Sequence, residues 1–460
     1  MKTQPGRRLT KFLCAAALLL CMPAARADTL TEALAQTYLT NPTLNAARAG
    51  QRATDEQVPQ ALSGWRPTIT VEGEAREIEG TTKNRTTKIR QSIDSAPGAL
   101  TIVLAQPVFS GFATVEGTKA AEATVRAGQQ NLLAAEQNVL FDAVQAYMNV
   151  YSDRQLVALQ QENVVVLRGQ LKASNERFNV GEITRTDVAQ SQASVGQAQA
   201  TLADQQAILA ADTATYLQVI GHPPGRLKYP PIPKLPASLE AAYATAGEIN
   251  PDILAAAFVE DAAYHNIGVQ RAPLLPELSV RADATISDEL HGRNGNKTQS
   301  ASLGGFLSVP IYEAGLVYSR VREAKQLASQ RRIQIIEVAR SVRQAVAAAW
   351  NAYLAYRQII AAGRQQVSAA RLALEGVRQE YSAGTRTTLD ILNAHAAVVI
   401  ARTTLVNAER NRVVAAYQLL AAIGQLTAID LRLGVPYYNI EENYRAVRNK
   451  WIGTDVQTVD

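Results

Sequence analysis

Two hydrophobic rhythms alternate along this chain. Four short stretches place apolar residues at every second position, the period of a strand with one apolar face. They are 68–79, with Ile69, Val71, Gly73 and Ala75 on one side; 99–109, with Leu100, Ile102 and Leu104; 277–288, with Leu278, Val280, Ala282 and Ala284; and 299–311, with Ala301, Leu303, Gly305, Leu307 and Val309. Pro67 and Pro276 stand at strand entrances, where no ladder donor is lost. After each pair comes a long stretch without proline, 108–222 and 311–435, as a long helix requires. Leu133, Leu140, Val144, Tyr147 and Tyr151 step through the first like a coiled-coil seam, and Ile336, Ala347, Trp350 and Leu354 hold equivalent places in the second. A helix over 113–177 would be about 100 Å long, too long for a compact globule. The spacing predicts one turn at Gly181, another at Gly384, and a shorter helix returning from each.

The two halves are a tandem repeat. Leu30, Ala33, Asn41, Pro42 and Pro67 recur as Leu239, Ala242, Asn250, Pro251 and Pro276. Further on, Pro107, Gly181, Thr184, Asp187, Ala193, Ile220 and Gly221 recur as Pro310, Gly384, Thr387, Asp390, Ala396, Ile423 and Gly424. The expected division is a first repeat over 28–221, a proline-rich extended connector over 222–237, a second repeat over 238–424, and a tail over 425–460. Each repeat reads as a modest helix broken at Asn-Pro, a β-hairpin (68–109 or 277–311), and a long helical hairpin with its tip near 178–187 or 381–390. Residues 80–97, with Lys83, Arg85, Lys88 and Arg90, read as a solvated loop facing outward. Four strands cannot close a membrane-spanning sheet, because open edges leave backbone groups unpaired in lipid and the smallest single-chain barrels use about eight. If the hairpins enter a membrane, the protein must oligomerise.

Charge changes the picture only by its location. The net charge of +5 suggests a nucleic-acid binder, yet Lys2, Arg7, Arg8, Lys11 and Arg26 all lie in the first 27 residues, which hold no acid. From Asp28 onward 41 basic residues face 41 acidic ones, so no global field steers a polyanion, and nucleic acid is not an expected partner. Residues 1–27 read as a cleaved signal peptide: a basic start, an apolar core from Phe12 to Met22, and small residues at Ala25 and Ala27. Both cysteines, Cys14 and Cys21, fall inside it; Leu20 before Cys21 argues against lipid attachment there. No later run of 18 uncharged apolar residues suggests a helical span.

At the tips, glycine supplies the left-handed residue that ends one helix, and Thr184…Asp187 and Thr387…Asp390 have the spacing of a capping box that opens the next. The tip residues 381–390, YSAGTRTTLD, together with the duplicated order and the strand entrances Trp65-Arg66-Pro67 and Leu275-Pro276, resemble the TolC family of bacterial outer-membrane export channels across essentially the whole chain after the signal. The resemblance implies a mainly α fold with a small β part. Three chains would share a twelve-stranded outer-membrane β-barrel, four strands from each, continued by a long periplasmic α-helical coiled-coil barrel that the connector 222–237 and the tail 425–460 belt midway. It implies a homotrimer in contact with outer-membrane lipid, a periplasmic adaptor (membrane fusion protein), an inner-membrane transporter of the ABC or RND type, and no cofactor. It implies a latch in which Arg386 and Tyr381 of the second tip bond Asp187 and Thr186 of the first. Asp390 matches a position at the narrow entrance. Asn393 stands where better-known members carry a second aspartate, which implies a weaker cation ring. Capping and pore-lining are compatible roles for Asp390.

No enzyme site assembles. His222, His265, His291 and His395 are scattered, and there is no nucleophile–base arrangement, dinucleotide fingerprint or P-loop. A metal site is not expected. The rival is a non-conducting periplasmic coiled-coil adaptor or scaffold, but adaptors of that kind carry one hairpin within β-rich domains, whereas two equivalent hairpins and four strands are present here.

Overall fold

The computed structural model describes residues 29–289 and 297–456. The signal peptide expected over 1–27, with Cys14 and Cys21, and His291 lie outside the described residues.

The first repeat runs α1 (Leu30–Thr40), α2 (Pro42–Asp55), α3 (Gln57–Leu62), β1 (Thr68–Ala75), β2 (Ile78–Lys83), β3 (Arg90–Ser95), β4 (Pro97–Ser110), α4 (Ala113–Asn179) and α5 (Arg185–Ile220). The second runs α6 (Leu239–Ile249), α7 (Pro251–Arg271), β5 (Glu277–Glu289), β6 (Thr298–Ser308), α8 (Leu316–Ser382) and α9 (Thr388–Ile423); α10 (Ile440–Val447) lies in the tail. α4 and α8 are each 67 residues long, and α5 and α9 each 36, so the duplication holds to the residue in the helices. At 1.5 Å per residue the long helices reach about 100 Å.

The Asn-Pro breaks have a specific use. Asn41 ends α1 and caps α2, its Oδ1 accepting from the amides of Thr43 and Leu44, while its Nδ2 donates to the Val219 carbonyl at 2.9 Å. Asn250 does the same before α7 and donates to the Ala422 carbonyl at 3.0 Å. Proline follows at the first helical position, where its missing N–H costs nothing. Each break therefore pins a short helix pair to the end of its own return helix.

β1, β4, β5 and β6 form one antiparallel sheet in that order. Paired residues share a face. Ile69 pairs Leu104, which pairs Ala282, which pairs Leu303; Val71, Ile102, Ala284 and Ala301 form the next such row. The opposite face carries Thr70, Glu72, Thr101, Asp283, Thr285, Ser300 and Ser302, with Val103 and Phe306 among them. The sheet is apolar on one side and mostly polar on the other, and among the described residues nothing covers either. Its outer strands, β1 and β6, have no further neighbour among the described residues. The segment expected as a loop over 80–97 is instead mostly ladder: β2 and β3 pair from Ile78↔Ser95 to Lys83↔Arg90. Only 84–89 turns, with Asn84 Oδ1 accepting from the amides of Thr86 and Thr87. Threonine and isoleucine there favour a pleated ribbon, which the polar composition had hidden.

The core sits at the waist. Leu34 of α1, Leu140, Val144 and Tyr147 of α4, Ile220 of α5, Ala242 of α6, Val346 of α8, Leu419 of α9 and Leu426 of the tail are buried together. By area, a fully buried leucine there contributes about 2 kcal/mol. The connector closes over it: Tyr147 Oη donates to the Lys228 carbonyl at 2.7 Å, and Arg154 donates to that of Pro224 at 2.9 Å. The seam expected on α8 differs. At the waist Val342, Val346 and Ala349 are its buried residues, Ala347, Trp350 and Leu354 are half-buried, and Ile336 is exposed. α1 and α6 pack on α4 and α8 alike, but the connector and the tail bond to α4, through Tyr147, Arg154 and Glu136. α9 likewise contains a window with mean hydropathy 1.3, apolar enough for a span, of which 17% is buried within the chain.

The tail leaves the waist and climbs. Tyr438 meets Tyr38 and Arg52; Asn443 Nδ2 donates to Asp55 at 2.8 Å; Arg448 pairs Glu122; and Arg66 donates to the Lys450 carbonyl at 2.9 Å. It thus follows α2 upward to the base of β1, beyond the level expected for it.

Candidate functional site

Each tip is built by two local rules. Gly181 and Gly384 take φ of +80° and +79°, and a Cβ would meet nothing within 4 Å, so conformation and not space requires glycine. The amides of Glu182 and Thr385 then bond back to Arg177 and Glu380. Both capping boxes form: Thr184 with Asp187 and Thr387 with Asp390, each hydroxyl taking the third amide and each carboxylate the threonine amide.

The tips then diverge. Arg386 Nε donates to Glu380 at 2.7 Å, and that carboxylate, with Asp390 beside it, raises the guanidinium pKa. The bonds from Thr387 hold the Asp390 carboxyl below its usual range. Tyr381 Oη lies 3.3 Å from Thr388 Oγ1, and the Arg177 guanidinium stacks 4.4 Å from the Tyr381 ring centroid. Asp187 is engaged with Thr184, Thr186 is exposed, and no hydrogen bond joins Arg386 or Tyr381 to either of them within the chain. Asn393 is exposed one turn beyond Asp390.

Sequence reasoning passed over the seam between the two hairpins. Along α4 and α9, Asn149 meets Arg410 at 3.0 Å, Glu162 meets Arg402 at 2.7 Å, and Asn163 Oδ1 meets His395 Nε2 at 3.0 Å. Asn163 spends its amide on Gln160, so the imidazole donates, and its buried Nδ1 has no partner. Burial, with Arg378 and Arg402 nearby, lowers the His395 pKa. Inside the first hairpin, burial and then neighbouring Asp212 push Asp153 up to about 7. Among the described residues no group of acids, histidines and cysteines is arranged to hold a metal.

An open sheet with one apolar face, set at one end of two long helical hairpins whose other end carries charged tips, defines a membrane-embedded duct component. The chain belongs to the outer membrane efflux protein family, whose model matches residues 33–222 and 242–425. It is 41% identical to the outer membrane efflux protein BepC of Brucella suis biovar 1, over 96% of both chains. It is 25% identical to the outer membrane protein TolC of Escherichia coli strain K12, over 88% of this chain and 84% of that one. The crystal structure of the Campylobacter jejuni CmeC outer membrane channel matches its fold with a TM-score of 0.78 at 14% identity, covering 91% of this chain and 89% of that one. The protein is an outer-membrane exit duct of a tripartite efflux or secretion system, with a periplasmic extension. Its relatives are channels, not enzymes, and work with adaptors and inner-membrane transporters.

Proposed function

We propose that three copies close into one passive conduit whose periplasmic tips form its gate. The two unpaired edges of the sheet carry this reading. β1 and β6 cannot stay open in lipid, whereas three copies joined edge to edge give twelve strands with every apolar row outward and every polar row toward the lumen. The same closure covers the apolar faces of α8 and α9 and brings outer-membrane lipid against Ile69, Val71 and Leu303.

At the tips, Arg386 and Tyr381 latch against Asp187 and Thr186 presented by a hairpin of the closed ring. A charge-assisted bond repeated three times holds the entrance shut until a periplasmic adaptor, coupled to an inner-membrane ABC or RND-type transporter, stabilises the open arrangement. The adaptor docks in the grooves between hairpins near Gly181 and Gly384. Three copies of Asp390 ring the entrance and attract cations; Asn393, being neutral, leaves the ring weaker.

Single-channel recording in a planar bilayer tests this, with wild type beside Arg386→Ser. Low conductance in the wild type and a marked rise in the mutant are expected. Pores indifferent to the mutation would place the gate elsewhere, and folded, trimeric, inserted protein without pores would leave only a scaffold.

A further inference from the structure

Residues 450–455 of the tail form a loop whose chemistry the duct does not use. Lys450 Nζ pairs with Asp455 Oδ1 and with the Asp455 carbonyl, each at 2.8 Å, folding the chain back on itself. Gly453, with φ of +111°, makes the turn. The apex presents Trp451 and Ile452, 64% and 90% exposed, with Val456 exposed beside them. Exposed apolar residues this large, grouped on one loop, are costly in water and mark a contact surface.

Its position says what it touches. The Arg66 guanidinium stacks 4.9 Å from the Trp451 ring centroid and donates to the Lys450 carbonyl, and β1 begins two residues later. Three other aromatics are exposed at the same junction of strands and helices: Trp65 before β1, Phe112 after β4, and Tyr312 after β6. Aromatic side chains gather where a barrel meets the headgroups, because their rings tolerate the boundary and their polar edges face water. The sequence places Trp451 some 385 residues beyond Arg66, yet the climb along α2 delivers it to this girdle.

We propose that the loop 450–455 is a membrane anchor, inserting Trp451 and Ile452 into the periplasmic leaflet of the outer membrane, with Arg66 and Lys450 at phosphate level. This rests on the reading of the sheet as a lipid-embedded barrel. The tail then ties the waist to the bilayer: bending the helical barrel relative to the membrane must pull the loop out of lipid or strip α10 from α2.

The test places a nitroxide on Ile452→Cys, the chain having no cysteine beyond residue 21. The full protein is reconstituted in phosphatidylcholine vesicles, and collisions with dissolved oxygen are compared with those of a water-soluble nickel chelate. Leu303→Cys on the apolar sheet face, itself 77% exposed in one chain, serves as the barrel control. Oxygen exceeding nickel at both positions is the expected result. A lipid-like Leu303→Cys with a nickel-accessible Ile452→Cys overturns the anchor and keeps the barrel. Low collision rates with both reagents at Ile452→Cys also overturn it, because a neighbouring copy then covers the loop. A nickel-accessible Leu303→Cys removes the barrel reading itself. Both side chains point away from the fold, so neither substitution disturbs the core.

Discussion

The two helical tips are the same construction put to different ends. Their backbones agree: left-handed glycine, threonine cap, aspartate three residues on. Position for position, however, Arg177 answers to Glu380, Phe178 to Tyr381 and Ile183 to Arg386. A charge is reversed, a hydroxyl is gained, and a guanidinium replaces an aliphatic group. Only the second tip gains a charged group between two carboxylates, Glu380 and Asp390. The two meet through non-equivalent residues, Arg177 over Tyr381. Duplication conserved what the turn needs, and the copies diverged where two tips can recognise each other.

The largest effect should come from exchanging the divergent groups. Arg386→Ser is expected to raise conductance severalfold, whereas Ile183→Ser, at the matching place of the first tip, leaves it unchanged. Equal effects in paired bilayer recordings would end the functional distinction between the tips. Next in size are the shared features, which must respond alike. Gly181→Val and Gly384→Val each force a branched residue to positive φ, at a cost of about 1–3 kcal/mol. Faster hydrogen exchange confined to the substituted tip is the readout. Thr184→Ala and Thr387→Ala each remove a cap worth about 1 kcal/mol and should fray the first turn of α5 and α9 equally. A clearly larger effect at Thr387 would show that Asp390 depends on its cap for more than helix initiation.

Much of this was legible in the sequence because its causes are local. The period-two sets, from Ile69 to Leu307, fall on one face once the ladder register is drawn, since alternation is a property of each strand alone. Proline's absence and one glycine set the length of each hairpin. What the pattern hid depends on what covers a residue. Ile336 occupies the position equivalent to half-buried Leu133, yet it is exposed, because no described residue covers that face of α8. The contacts of Arg386 with Glu380 and of Tyr381 with Arg177 within one chain were not read from the sequence although a signal was present: aligning the tips exposes Arg177 against Glu380 as the reversed pair. The climb of the tail had no local signal, being held by single contacts to Tyr38, Asp55, Glu122 and Arg66, hundreds of residues away.

The smallest effect expected concerns pH, and it separates the seam from the tips. His395 on α9 is neutral where it packs against Asn163, because its bare Nδ1 is buried and Arg378 and Arg402 oppose a further positive charge, outweighing Glu162. Released from the seam, the imidazole returns toward its ordinary value of 6.5. The packed state therefore binds fewer protons than the parted one. Its advantage is complete above about 6.5 and declines as pH falls toward the lowered value. Hydrogen exchange along 391–402, corrected for intrinsic rate, should quicken at pH 5.5 relative to 7.5. His395→Gln keeps a donor for Asn163 but cannot be protonated, and should flatten that dependence. The second tip, whose Asp390 carboxylate is held ionised by its cap, should exchange alike at both pH values. A tip that loosens with acid while 391–402 does not would move the proton-sensitive element from the seam to the gate.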